Sequence, residues 1–193
     1  ILIVVSGFSG AGKGTIMKAL LERYDNYALS ISATTRNPRQ GEEEGKAYFF
    51  KTTEEFEKMI AKDDLIEYAM YVGNYYGTPL DYVKQKLDEG KDVVLEIEVQ
   101  GALQVKNVMP DACFICIAPP SMEELRNRIM TRGTEAMEVI NKRMQKAESE
   151  IGLAHEYDYI VINDTVENAR DRIMAIIEAE HSRSNRVLEY YNK

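Results

Sequence analysis

A chain of 193 residues, 45% hydrophobic and 29% charged, can bury one substantial core, so a single domain is its simplest organisation. Its net charge of −8 excludes the extended basic surface that a nucleic-acid polymer needs, but not a local arginine cluster around a nucleotide. No apolar run approaches the roughly 20 residues that cross a bilayer, and Ile1–Val5 is too short and lacks the basic flank of a signal peptide.

The chain opens inside a predicted strand, Ile1–Val5, without a Met, which implies that a few residues precede it. A continuous Val/Ile/Leu run is the pattern of a strand buried on both faces. Directly behind it, Gly7, Phe8, Ser9, Gly10, Ala11, Gly12 and Lys13 read G-x-x-x-x-G-K, and a helix follows through Gly14 and Thr15. Backbone N–H groups of such a turn approach phosphate oxygens closely, and the helix dipole favours the same anion. Lys13 adds a mobile positive charge for the outer phosphates. The segment is read as the cradle of a nucleoside triphosphate.

Further strands are predicted at Ala28–Ser32, Val93–Val99, Cys113–Ile117 and Tyr159–Ile162, with helical stretches between them. That alternation argues for a parallel sheet covered on both faces. Two stretches break it. The first, Thr34 to Thr78, is rich in turns and tyrosine, with a helix-like piece at Thr53–Lys62 and strand-like runs at Tyr48–Phe50 and Ile66–Tyr71. The second, Gly133 to Tyr157, reads as a helical pair or lid with Met137, Ile140, Met144 and Ala147 on one face. Ser121-x-x-Glu124 and Asp164-x-x-Glu167 read as capping boxes, the second opening a last helix with Val166, Ala169, Ile173 and Ile176 inward. Inserts of this sort let a kinase exclude water from phosphoryl transfer.

Phosphoryl transfer needs charge neutralisation more than covalent help, so arginines are the residues to seek. Arg36-Asn37-Pro38-Arg39 sets two guanidiniums around a rigid proline, followed by Tyr48 and by Tyr75-Tyr76-Gly77-Thr78. A planar guanidinium can bind phosphate oxygens in bidentate fashion. In the second insert Arg128 and Arg132 are four apart on one helical side, with Arg143 beyond. Alternation along Val93–Val99 places Glu96 and Glu98 on one face of an otherwise apolar strand, where they could orient substrate or hydrated Mg²⁺. Cys113 and Cys116 read as buried strand thiols in a reducing cytoplasm, and His155 and His181 as surface residues.

Together these segments resemble guanylate kinase, a nucleoside monophosphate kinase of the P-loop superfamily, from Ile1 to about Glu180. The carrying motifs are Ser6-Gly7-x-Ser9-Gly10-Ala11-Gly12-Lys13, Ser32-Ala33-Thr34-Thr35-Arg36-x-Pro38-Arg39-x-Gly41-Glu42 and Gly45-Lys46-x-Tyr48. They continue through Leu65-Ile66-Glu67-Tyr68, Gly73-Asn74-Tyr75-Tyr76-Gly77-Thr78 and Glu96-Ile97-Glu98-Val99-Gln100-Gly101. Ala118-Pro119-Pro120-Ser121, Arg132-Gly133-Thr134-Glu135 and Val161-Ile162-Asn163-Asp164 complete the series.

The resemblance implies ATP-dependent phosphorylation of GMP, and of dGMP, releasing ADP. It implies a three-layer α/β/α core with a five-stranded parallel sheet (1–32, 79–121 and 158–193), a GMP-binding insert with its own small sheet (33–78) and a helical lid (122–157). Residues matching Arg36, Arg39, Tyr48 and Tyr76 would hold the GMP phosphate, and those matching Ser32, Glu67 and Thr78 would read guanine. Gly7 to Thr15 would hold ATP, with Arg132 and Arg143 reaching its phosphates from the lid and Asn163 a candidate for adenine. Gly14 stands where many P-loops carry a Mg²⁺-touching hydroxyl, so the metal is expected to be held mainly by phosphates and water. Glu96 and Glu98 stand where some relatives have aspartates. Rival readings are a non-catalytic interaction module of similar fold and a kinase of another small substrate. Self-association is not readable from the sequence.

Overall fold

The computed structural model describes residues 1–131 and 136–191, with backbone alone at 189 and 190. A five-stranded, wholly parallel sheet runs β2-β7-β1-β8-β9, from β1 (Leu2–Gly7), β2 (Tyr27–Leu29), β7 (Asp92–Glu96), β8 (Cys113–Ala118) and β9 (Tyr159–Ile162). Every residue of β1 and β8 is buried, the signature of strands covered on both faces. Alternation divides the core. Ile3 and Val5 face α1 (Lys13–Leu21), α5 (Met122–Thr131), α6 (Met137–Ile151) and α7 (Val166–His181), whereas Leu2 and Val4 face α3 (Leu80–Asp88) and α4 (Val99–Val108). A last helix, α8, spans Ser184–Tyr191. None of the described helices is long and apolar enough to cross a membrane.

A second sheet, β4-β3-β6-β5, lies between β2 and α3 in sequence, built from β3 (Ala33–Thr34), β4 (Phe49–Phe50), β5 (Leu65–Tyr71) and β6 (Asn74–Pro79). Its small core of Ala33, Phe56 and Leu65 is closed by α2 (Thr53–Ala61), which starts at a reciprocal capping box between Thr52 and Glu55.

Several boundaries differ from the sequence reading. The first strand runs on to Gly7, because Ser6 and Gly7 still pair with β8. The predicted strand 28–32 divides: Ser30 N–H bonds to Val94, while the Ser32 carbonyl accepts from Phe49 and hands the chain to the second sheet. The predicted strand 93–99 ends at Glu96, and Glu98 is the N-cap of α4, not a strand residue. The last long helix is capped by Thr165, whose hydroxyl accepts from Asn168 N–H, and not by Asp164, whose carboxylate is drawn to Arg172. Ile177 is buried there and Ile176 only partly. On α6, Ile140, Met144 and Ala147 are buried as expected, but Met137 in its first turn is 53% exposed.

Candidate active site

The loop after β1 is held open by backbone contacts that its glycines permit. A Cβ at Gly7 would lie 2.2 Å from the Ile117 carbonyl oxygen. Gly12 has φ +91°, the left-handed region that favours glycine, and caps α1 without a side-chain bond. The first N–H groups of α1 are therefore left for an anion. Asn163 donates to Ala11 O at 2.7 Å, so its amide pins the loop from beneath. Lys13 Nζ donates to Gly7 O at 2.9 Å and lies 3.7 Å from Glu98 Oε1.

Two clefts flank this loop. Lys13, Ser32, Tyr48, Glu67, Tyr76, Glu96 and Glu98 line one of about 400 Å³, between the two sheets. Gly10, Gly12, Thr15, Arg128 and Asn163 line another, of about 380 Å³, beside α5 and α7. A third hollow, over Phe8 to Thr15, shares Lys13, Glu96 and Glu98 with the first cleft and Gly10, Gly12 and Thr15 with the second. The three open at the carboxyl ends of β1 and β7, where open α/β sheets bind ligands. A further hollow beside Leu87, Met109 and His181 lies at the amino end of β1, away from the loop.

Within the first cleft, Glu67 is buried on β5 and its Oε1 accepts from the Thr78 hydroxyl at 2.7 Å. Burial pushes the Glu67 carboxyl above the ordinary carboxylate value, against the pull of Thr78. Arg36 makes a two-pronged pair with Glu42, at 2.9 and 3.0 Å, and lies over the Tyr48 ring at 5.2 Å. The Arg36 fork holds the Glu42 carboxyl below its usual range, and the Arg39 backbone N–H adds to this at 2.7 Å. Glu42 thus orients the side chain of Arg36 and only the backbone of Arg39, whose residue is exposed.

Glu96 and Glu98 share the cleft although one ends a strand and the other caps a helix. Burial pushes Glu96 up in pKa, opposed by Lys13. Burial acts likewise on Glu98, but Lys146 and Lys13 outweigh it and leave that carboxyl lowered. Across the second cleft, Arg128 is tied to Glu124 at 2.9 Å and to the Asn163 carbonyl at 3.0 Å. Arg143 sits half-buried on α6. Arg132 lies outside the described residues, as does Gly133. Cys113 and Cys116 are buried free thiols, pushed up by burial to about 12 and about 11. His155 and His181 are both exposed, as expected, and His181 Nε2 also lies 2.8 Å from the buried Asp92 carboxylate. Among the described residues no three His, Cys, Asp or Glu side chains form a metal-binding group.

The family model for guanylate kinase matches residues 1–180. The chain belongs to the guanylate kinase family. It is 58% identical to the guanylate kinase of Lactococcus lactis over 99% of this chain and 93% of that one, and 57% identical to that of Bacillus subtilis over all of this chain and 95% of the other. The crystal structure of guanylate kinase from Anaplasma phagocytophilum is similar with a TM-score of 0.72 at 36% identity, covering 96% of this chain and 88% of that one. The chain is accordingly an enzyme of the guanylate kinase kind, which phosphorylates GMP at the expense of ATP.

Two further residues shape this guanylate kinase site: Gln104, which carries no local signal, and Gly101, whose place in the Glu96–Gly101 motif does not by itself show what it faces. Gln104 on α4 brackets the Tyr68 backbone, accepting from its N–H and donating to its carbonyl, each at 3.0 Å, and so fixes the strand beside Glu67. Gly101, in the first turn of α4, faces the other Glu67 oxygen: a Cβ there would lie 2.9 Å from Oε2. Both contacts become visible once α4 is packed on β5.

Proposed function

We propose that the two clefts are the acceptor and donor halves of one phosphoryl-transfer site, in which ATP phosphorylates GMP and dGMP and leaves as ADP. The observation that carries this reading is the position of Lys13, shared by the cleft that contains Glu67 and by the hollow over the phosphate loop. A guanine ring presents two adjacent donors, N1–H and the exocyclic amine, to a carboxylate such as Glu67. Adenine presents no such pair, and would leave the carboxylate unsatisfied. Thr78 supports Glu67, and Ser32 supplies a further hydroxyl at the base end. Arg36, Arg39, Tyr48 and Tyr76 address the GMP phosphate, so that base and phosphate, and not the 2′-hydroxyl, are what this cleft reads.

On the donor side, Gly7 to Thr15 cradle the ATP phosphates through backbone N–H groups and Lys13, and Asn163 keeps the loop in shape beside the second cleft. Arg143 and Arg132 would serve the phosphates from a lid spanning 122–157, over a core of 1–32, 79–121 and 158–193 and a GMP-binding insert of 33–78. Transfer then rests on in-line placement and on neutralising charge at the equatorial oxygens. The residues fit a hydrated Mg²⁺: Gly14 offers no hydroxyl, and Glu96 Oε1 lies 3.7 Å from where a Cβ at Gly14 would be, at the edge of the phosphate hollow. Glu96 would hold the hydrated ion through its water shell, and when bound the ion would offset the negative charge of the phosphates. The two buried thiols of β8 support a cytoplasmic setting.

An ADP-release assay offering GMP, dGMP, AMP, CMP and UMP in turn tests the reading. GMP and dGMP are expected to be turned over fastest. Highest activity on AMP, or none on any of the five, would overturn it.

A further inference from the structure

Glu150 is a carboxylate with no part in the chemistry above, yet it is 5% exposed on α6 and its Oε2 accepts the Ser9 backbone N–H at 3.1 Å. A carboxylate is expensive to bury, and an apolar residue would serve a purely packing role at that place better. Its partner is the phosphate loop itself. One turn earlier, Lys146 donates to Glu98 Oε2 at 2.8 Å and lies 3.7 Å from Glu150 Oε1. Glu98 in turn faces Lys13 at 3.7 Å. A line of alternating charges, Glu150, Lys146, Glu98, Lys13, therefore leaves the loop at Ser9 and returns to it at Lys13. Arg143, Lys146 and Glu150 are spaced three and four apart, which puts them on one flank of α6.

We propose that Glu150 and Lys146 are positioning residues for the ATP phosphates, setting the shape of the loop and the direction of Lys13 from helix α6. The loop's amides bind phosphate only in one backbone arrangement. Phe8 O and Ala11 N hold each other at 2.9 Å, Asn163 holds Ala11 O, and Glu150 holds Ser9 N. Donors fixed beforehand need no rearrangement when charge arrives. Lys146 keeps Glu98 from drawing Lys13 wholly to itself. The inference rests on the reading that this loop holds ATP, and deepens it.

The test uses Glu150→Ala, Glu150→Gln and Lys146→Met, with ATP affinity measured by calorimetry without GMP, KM for both substrates, and the thermal midpoint. Glu150→Ala leaves a part-buried N–H without its carboxylate, so ATP affinity is expected to fall about tenfold while the GMP KM stays within about twofold. Glu150→Gln keeps an oxygen for Ser9 N–H and is expected to recover most of that loss. Lys146→Met, at a half-exposed position, is expected to weaken ATP about threefold with an unchanged thermal midpoint. It decides the matter even if Glu150→Ala fails to fold. Unchanged ATP affinity in Lys146→Met and Glu150→Ala, or equal losses for both substrates that follow the thermal midpoint, would overturn the proposal. A wild type that binds ATP but does not phosphorylate GMP would overturn the functional reading alone.

Discussion

The Thr78 hydroxyl donates to Glu67 Oε1 at 2.7 Å and so fixes one of the two oxygens of a carboxylate that is 8% exposed. With Oε1 held, the plane of the carboxylate is set and two acceptors remain in register for two donors on a base. Glu67→Gln replaces one acceptor by a donor and is expected to raise the GMP KM on the order of 10²-fold. The ATP KM should stay within about twofold, since the proposed place of that substrate is the loop and not the base pocket. Thr78→Val, which keeps the shape and loses the bond, should cost roughly fivefold to tenfold on GMP alone. Steady-state kinetics with each substrate varied in turn reads both, and an unchanged GMP KM in Glu67→Gln would remove the base-reading role.

The raised pKa of Glu67 gives that role a pH dependence. Burial lifts its carboxyl above the ordinary value of 4.5, and Thr78 offsets this only in part. Once protonated, Glu67 offers a donor where guanine also offers donors. GMP binding is therefore complete above the raised pKa and lost as pH falls through it. Folding has the opposite sign: a carboxyl that holds its proton more tightly when folded costs stability as pH rises through the same window. The expected result is an acid limb in kcat/KM for GMP that disappears in Glu67→Gln.

How much of this was legible in the sequence depends on how local each cause is. The turn between β1 and α1 was legible because its glycines and Lys13 act within one turn, where spacing alone fixes geometry. The parallel sheet was legible from β1 and β8, whose unbroken apolar runs admit little else. Glu98 was assigned to a strand because apolar alternation continues through Val99, while the chain in fact turns after Glu96 and starts α4. Glu150 and Gln104 gave no signal. Their partners, Ser9 and Tyr68, are 141 and 36 residues distant, and only packing brings them together.

Lys13 combines with neighbours of both signs, which makes its own contribution separable. Its Nζ donates to Gly7 O and faces Glu98, so it is already aimed across the hollow over the loop. Lys13→Met keeps much of the stem and removes the charge proposed to meet the transferring group. A fall in kcat of at least about 10²-fold is expected, with the thermal midpoint little changed. Single-turnover measurement at saturating ATP separates this from weaker binding.

Glu42 holds Arg36 in a fork–fork pair while both side chains remain partly accessible. Two parallel hydrogen bonds fix the plane of the guanidinium and so set where it points. Glu42→Gln weakens one prong and should raise the GMP KM about threefold, whereas Arg36→Lys, which loses the planar fork, should raise it by more than about tenfold. Equal effects of the two substitutions would mean that charge alone, and not the fork, matters at this position.

Gly101 offers the sharpest separation of recognition from stability. A Cβ there would approach Glu67 Oε2 to 2.9 Å, closer than a carbon tolerates, and Glu67 Cδ to 3.5 Å. The atom in its way is the end of a side chain, which can swing aside, so the fold itself has room for the change. Gly101 also lies inside α4, where replacing glycine by alanine favours the helix by about 0.5–1 kcal/mol. Gly101→Ala is therefore expected to leave the thermal midpoint unchanged or higher while displacing the carboxylate proposed to read guanine. The GMP KM should rise about tenfold, ATP affinity should not move, and the preference for GMP over AMP should narrow. A variant that lost stability and both substrate affinities together would show instead that this glycine serves helix–strand packing and not the choice of base.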